Sequence, residues 1–338
     1  MTRSRIVVSF SGILVGVGAL AALGALYLDP ARAAVGPLPG FGLALPADTR
    51  FVVGVDVQRL TSSSFYQRFA KQRSLARPDA FKELEEKTGL QPERDLDQLV
   101  IAGRGGEPDE PPVVLVQGRL DRTRLSRALE TEKKRGVTWK DHAGTTVYLF
   151  DETGKRPAAM AFLADDTLIL GSAAVIEATL DRTAQGRQPL RDNAGLVALL
   201  ETVKPGSAVW MVGDHSLLSQ LPRTLPAPGG GGAGGNVSLP ALKSLVVTGD
   251  LDPQLSFEVV GEAADEPAAR NLADMVRGFV ALLSLQASQK PELKDLASAV
   301  SVASDAQRVR VSARIPYELL EALQPKHAPS ASPAPDKH

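Results

Sequence analysis

Short apolar runs bounded by turn-forming residues recur along the chain, at residues 51–57, 99–102, 113–120, 146–150, 159–163 and 167–171. Runs of that length, rich in Val, Ile and Phe, predict β-strands, and the Asp165-Asp166 pair between the last two predicts a hairpin turn. Between them the apolar spacing changes to three and four, which predicts helices at 65–72, 78–88, 123–134 and 173–183. Ser62, Ser63 and Ser64 precede the first of these as capping candidates, and Gly89 ends the second. A longer helix is expected over residues 267–288, where Leu272, Met275, Val276, Phe279, Leu282 and Leu283 form one stripe. Val280 and Leu285 fall off that stripe, and no charge separates Arg277 from Lys290. The pattern therefore predicts a C-terminal half buried on two sides, against its own sheet and against the other half of the chain.

The order of these patterns repeats. Residues 52–56 match 210–214, 99–103 match 245–249, and 114–118 match 257–261. Residues 162–165 with Ile169 match 302–305 with Val309, in the same order. Serial matches with steadily shrinking separation are what an old duplication leaves behind. Each copy reads β-α-β-β-α-β at its core, the split βαβ arrangement. The expected fold is α+β, with two tandem related halves, each a mostly antiparallel sheet with helices on one face. The first repeat spans 46–187 and the second 195–323, the latter interrupted by a flexible Gly-rich loop at 222–240. Residues 324–338, rich in Pro, Ser and Ala, are expected to form a disordered tail.

The N-terminus changes the picture from a globular protein to an anchored one. Arg3 and Arg5 precede an uncharged run over residues 6–28, closed by Asp29 and Pro30. As a helix that run reaches about 34 Å, enough for a bilayer core. The two arginines orient it with the rest of the chain outside the cytoplasm. Residues 1–30 thus read as a transmembrane anchor or as a signal segment, because Ala31-Arg32-Ala33 is an A-x-A cleavage pattern. Gly12 and Gly16 form a G-x-x-x-G, a pattern of helix-pairing faces that chance spacing in a Gly- and Ala-rich span explains better. Residues 31–45, with Gly36, Pro37, Pro39, Gly40 and Gly42, read as a linker. The expected location is a cell membrane crossed once, with a periplasmic globular region, or a secreted form after cleavage.

Leu45-Pro46-Ala47-Asp48-Thr49, followed by the strand at 51–56, resembles the opening of repeats in a family of bacterial cell-envelope proteins. Those proteins combine an N-terminal membrane segment with duplicated α+β repeats. The resemblance covers the first strand closely and the remainder as pattern. It implies localisation and architecture; the family has no established activity, cofactor or site residues to carry over.

Composition narrows the chemistry. A net charge of −1 gives no bulk attraction to nucleic acid, and the absence of cysteine removes disulfides, thiolate metal sites and thiol nucleophiles. The glycines at 229–235 lack the Lys and Ser/Thr of a phosphate loop, and Gly103-Arg104-Gly105-Gly106 runs into an acidic proline loop at 107–112 rather than a helix. His142 and His215 lie in different copies without metal-ligand spacing. Asp214-His215-Ser216 is consecutive, whereas triad groups converge from separate elements. Asp214 aligns with Asp56, and the plainer reading is a strand-closing Asp that caps the next turn in both copies. Asp141-His142 reads as a solvated loop before Gly144. Glu83, Glu85 and Glu86 beside Lys82 and Lys87 make an ordinary charged helix face. Seven Lys/Arg lie between Arg119 and Arg135, but Leu125, Ala128 and Leu129 point the helix's apolar stripe inward and leave those charges solvated.

No catalytic, cofactor-binding or metal-binding residue is therefore assigned, and no cofactor is expected. The expected partners are the membrane, through residues 6–28, and an envelope protein. The sequence favours a non-enzymatic binding, scaffolding or assembly module. The alternatives are a hydrolase whose carboxylates come from distant loops, and a carrier or chaperone with an apolar cavity.

Overall fold

The computed structural model describes residues 38, 40–70, 85–104, 111–131, 137–150, 158–215, 224–226, 236–238, 240–285 and 292–322. The expected membrane segment at 6–28, the acidic loop, most of the Gly-rich loop and the tail lie outside these residues. Among the described residues no helix is long and apolar enough to cross a membrane.

The predicted strands form one antiparallel sheet. Its members are β1 (Phe51–Asp56), β2 (Leu96–Gly103), β3 (Val113–Gly118), β4 (Val137–His142), β5 (Thr145–Phe150), β6 (Ala158–Ala164) and β7 (Thr167–Ser172), then β8 (Val209–Asp214), β11 (Leu242–Asp250), β12 (Leu255–Ala263), β13 (Val300–Asp305) and β14 (Arg308–Ile315). A separate short ladder pairs β9 (Thr224–Pro226) with β10 (Asn236–Ser238). The large sheet has 12 strands in the order β13-β14-β12-β11-β8-β1-β2-β3-β7-β6-β5-β4. The chain thus fills one wing with β1–β7 and the other with β8–β14, joined where β1 pairs with β8.

Helices cover this sheet unevenly. They are α1 (Val57–Ser62), α2 (Pro92–Asp95), α3 (Arg122–Thr131), α4 (Ala173–Ala184), α5 (Ala194–Glu201), α6 (Glu266–Leu285), α7 (Glu292–Ser298) and α8 (Tyr317–Ala322). In the first wing α3 and α4 lie on opposite faces, which corrects the expectation of helices on one face. Arg122 of α3 sits over the Phe162 ring at 5.1 Å, while Glu177 of α4 bonds Lys140 at 2.9 Å. Lys140 pairs with Val147 and Val147 with Ala161, so Lys140 shares the face of Ala161, opposite to that of Phe162. The face under α4 is dry: Val52, Val147, Ala159, Ala161, Ile169 and Val212 are each 0 % exposed.

Two glycines mark places where chains approach closely. At the junction Gly54 lies opposite Trp210, and a Cβ on Gly54 would stand 2.3 Å from the indole of that buried side chain. A Cβ on Gly118 would stand 2.1 Å from the Asp95 carbonyl oxygen. That carbonyl accepts from Arg119 N–H at 2.7 Å, and the Asp95 carboxylate accepts from Gln91 N–H at 2.8 Å and from Arg94 Nε at 2.7 Å. The Arg94 hydrogen bond, aided by the Gln91 N–H, holds the Asp95 carboxyl below the usual range despite its burial.

The end of the chain returns to its beginning. Tyr317 of α8 packs near Phe65 and Phe69, with ring centroids 6.4 and 6.0 Å away, and Arg68 lies over its ring at 5.1 Å. Burial, with the Asp252 charge beside it, pushes the Tyr317 hydroxyl up to about 12. Ser63 Oγ accepts from Tyr66 N–H at 3.1 Å, the capping role expected of the serine run, although the turn it opens is a π-helical one over Tyr66–Ala70.

Two expectations need correction. Asp141 and His142 lie in the edge strand β4 rather than in a loop, and His142 meets Asp181 of α4 at 2.8 Å. Leu285 is 74 % exposed, and within α6 only Ala269 and Ala273 are buried, against Ala263 and Val309. The helix docks through small residues near its N-terminal end. Every described residue of its apolar C-terminal half, from Met275 to Leu285, is half-buried or exposed.

Candidate functional site

The face that is dry core beneath α4 becomes polar on passing β8. Because directly opposed residues share a face, the ladder registers define four rows across the second wing. The first runs Ser244, Glu262, Arg308, Asp305; the second Val246, Val260, Arg310, Ala303; the third Thr248, Glu258, Ser312, Ser301; the fourth begins Asp250, Ser256, Arg314. Strict alternation builds this floor, since β14 reads Arg-Val-Arg-Val-Ser-Ala-Arg-Ile. Its Val309, Ala313 and Ile315 are buried on the other face, so the arginines must emerge here.

The floor is the base of a groove of ≈ 820 Å³. Leu199 and Thr202 at the end of α5, Lys204 beyond it, and Ser298 and Ala299 at the end of α7 complete its lining. Lys204, Arg308, Arg310 and Arg314 bring four cations to the lining, against three carboxylates from Asp250, Glu258 and Glu262. Arg310 bonds Glu258, and Lys204 bonds Asp250 at 3.0 Å. Arg314, exposed at the groove's end, forms no ion pair with any described residue. Serines and threonines surround the apolar pair Val246 and Val260. The result is a broad, hydrogen-bonding, slightly cationic surface with a small apolar centre, suited to holding an extended polar ligand.

It is poorly arranged for acid–base work. Two of the three carboxylates are engaged by cations, and no histidine among the described residues lines the groove. Among the described residues no group of three or more His, Asp or Glu is placed to hold a metal ion.

The residues weighed from sequence lie elsewhere. Asp56 caps α1 by accepting from Arg59 N–H at 2.9 Å, as expected, and the aligned Asp214 forms an ion pair with Arg50 at 3.1 Å; the turn that Asp214 would cap lies outside the described residues. His215 Nδ1 contacts the Leu242 carbonyl at 3.0 Å, away from the Asp214–Arg50 pair, and Ser216 lies outside the described residues. Asp165 reaches Arg122 at 3.4 Å, whereas Asp166 accepts from Thr167 Oγ1 and Gln117 Nε2, bonds that hold its carboxyl below the usual range. The pair is a turn, as expected. Leu125 and Leu129 are buried with Arg124 and Arg127 exposed, as the stripe on α3 implied. Arg104 binds Asp48 at 2.7 Å instead of a phosphate loop forming there.

The groove residues carried a signal that sequence reading passed over. Cations at 308, 310 and 314, on alternating positions of an apolar strand, mark a sheet face that meets water.

No family model matches the chain, and no curated protein matches it. Solved structures of the Treponema protein TP0453 are similar in outline. Its crystal form III aligns over 86% of this chain and 97% of that one, at 10% identity and a TM-score of 0.46. Crystal form I aligns over 84% and 95%, at 9% identity and a TM-score of 0.45. The site therefore rests on its own geometry.

Proposed function

We propose that the chain is a membrane-anchored extracytoplasmic protein, held through residues 6–28, whose two related α+β halves serve binding or scaffolding. The binding surface is the polar face of β11, β12, β14 and β13. One observation carries this reading: a sheet face that is closed under helices in one wing is a polar groove in the other, built by alternation in the strands. Charged side chains and hydroxyls aligned on a rigid sheet recognise; they do not by themselves supply a nucleophile or a base.

The ladder registers support the related halves. The aligned residues Val53 and Met211 pair with each other, and around them Val52 pairs with Val212 and Gly54 with Trp210. A two-fold axis through the junction requires this exchange. Ile101 pairs with Val53 as Val247 pairs with Met211, in the aligned register. The third match is two places out, because Leu99 pairs with Val116 but Leu245 with Gly261. An offset of two keeps every side chain on its face, so the apolar pattern did not reveal it.

One experiment on cells tests the proposal. With a photo-crosslinking amino acid at Ser301, adducts to an envelope protein should appear in the membrane fraction, and external protease on spheroplasts should remove them. The same amino acid at Arg182, on α4, should give none. Equal yields at the two positions, or protection from the protease, would contradict the reading; a mature form starting at Ala34 would replace the anchor by a cleaved signal.

A further inference from the structure

We propose that β13 is an acceptor edge, to which a partner adds an extended segment alternating apolar and acidic residues. The proposal rests on the binding reading of the same face and names its ligand.

The first support is the edge itself. β13 ends the sheet, and all its residues are exposed except the half-buried Val300 and Val302. The Arg314 N–H donates to the Ala299 carbonyl at 3.1 Å. Antiparallel pairing alternates, so Ser301, Ala303 and Asp305 also bond inward, and the backbone N–H and C=O groups of Val300, Val302 and Ser304 face outward, where Arg277 of α6 reaches the Val302 carbonyl at 3.4 Å. Natural edges are commonly blunted by lysine, proline or a bulge. β13 reads Val-Ser-Val-Ala-Ser-Asp, with neither residue, and its ladder with β14 runs without a shift. The opposite edge differs: β4 carries Lys140, held by Glu177, and the bulky Trp139. The β4 edge is guarded by bulk and charge, whereas among the described residues only the exposed Arg277 reaches the β13 edge, at one carbonyl.

The second support is charge. On the groove face β13 presents only Ser301, Ala303 and Asp305. Ala303 lies beside Arg310, and Ser301 sits one strand from the row that ends in Arg314. Small side chains at 301 and 303 leave room beside β14, whose exposed Arg308 and Arg314 form no ion pair with any described residue, while Arg310 is held by Glu258 of β12. An added strand would set its groove-face side chains opposite Ser301 and Ala303, within reach of those arginines. Carboxylates are favoured there, and Asp305 disfavours them at the end position. On the other face the added side chains would meet Val300 and Val302, where apolar residues fit. Strand addition takes its affinity from the main chain and its specificity from alternate side chains.

The test uses the folded protein and two synthetic peptides of about eight residues, the length of a strand. One alternates valine with glutamate and the other valine with lysine, and binding is read by fluorescence anisotropy. The valine–glutamate peptide should bind, more weakly as salt rises, and the valine–lysine peptide roughly tenfold less well or worse. Val302→Pro removes an outward N–H and should abolish binding. Arg314→Glu, on an exposed side chain, should weaken binding at unchanged thermal stability and serves if the proline variant folds poorly. Equal affinity for the two peptides overturns the proposal, as does binding that Arg314→Glu leaves intact. No peptide binding, with a dimer that Val302→Pro dissociates, overturns it as well and assigns the edge to a second copy. Peptide failure with crosslinks at Ser301 retained removes strand addition alone; loss of the crosslinks removes the binding face itself.

Discussion

Trp210→Ala is expected to lower the unfolding free energy by about 3–5 kcal/mol, the cost of emptying a large buried aromatic site. The indole is 1 % exposed and lies in β8 directly opposite Gly54 of β1, where the two wings join. The hydrogen on Gly54 makes room for it, since a Cβ there would come within 2.3–2.6 Å of three indole atoms. Gly54→Ala in the native background should therefore destabilise by about 1–3 kcal/mol, the range for overpacking. In the Trp210→Ala background the same change enters vacated space and should cost much less. The non-additivity is the informative quantity, because only direct contact produces it on this scale. Urea unfolding of the four proteins measures it. Additive losses would mean that the wings do not meet through this pair, and the single sheet would be in doubt.

Asp95→Ala is expected to cost about 1.5–3 kcal/mol at neutral pH, as for a lost hydrogen bond to a charged group. Its carboxylate is 8% exposed and closes the turn that leads α2 into β2. The Arg94 hydrogen bond, opposed by burial and aided by the Gln91 N–H and the Arg94 and Arg119 charges, lowers its pKa. A carboxyl lowered in the folded state stabilises fully above its unfolded pKa, near about 4, and loses that contribution as pH falls through the folded pKa. The stability difference between native protein and variant should thus be constant above about pH 5 and shrink below it. Unfolding curves from neutral to acid pH check this. A difference that does not change with pH would show that the loss comes from packing and not from the charge.

How much was legible in the sequence follows from what each signal depends on. β1, β2, β3, β6 and β7 are nearly continuous apolar runs because both of their faces are covered, and such runs announce themselves. β4 was hidden for the opposite reason: only Val137 in it is buried, and Thr138 to Asp141 face water at the edge. The apolar stripe of α6 was real, but hydrophobicity says that a side chain favours burial and not that a partner surface exists. Leu285 is the consequence. Which face a helix covers was beyond reach, since Ala161 and Phe162 read alike until the ladder registers give their sides. The groove was legible in part. The alternation in β14 fixes its polar side, yet joining Arg310 to Val260 required the β13–β14 hairpin to lie in register with β12, from which α6 and α7 separate it in sequence.

The central claim is that one sheet face passes from dry core to open binding surface along a path of neighbouring residues in two adjacent rows. The chain contains no cysteine, so single cysteines can report on that path without background. Val212, Val246, Val260, Ser312 and Ser301 sample it from the junction to the edge. Each is replaced by cysteine in turn, and the rate of alkylation in the folded protein is measured. Val212→Cys should react only on unfolding, Val246→Cys slowly, Val260→Cys and Ser312→Cys at intermediate rates, and Ser301→Cys nearly as fast as a free thiol. If the thiols at 312 and 301 are as protected as the one at 212, the face is closed in the native protein and the account is wrong.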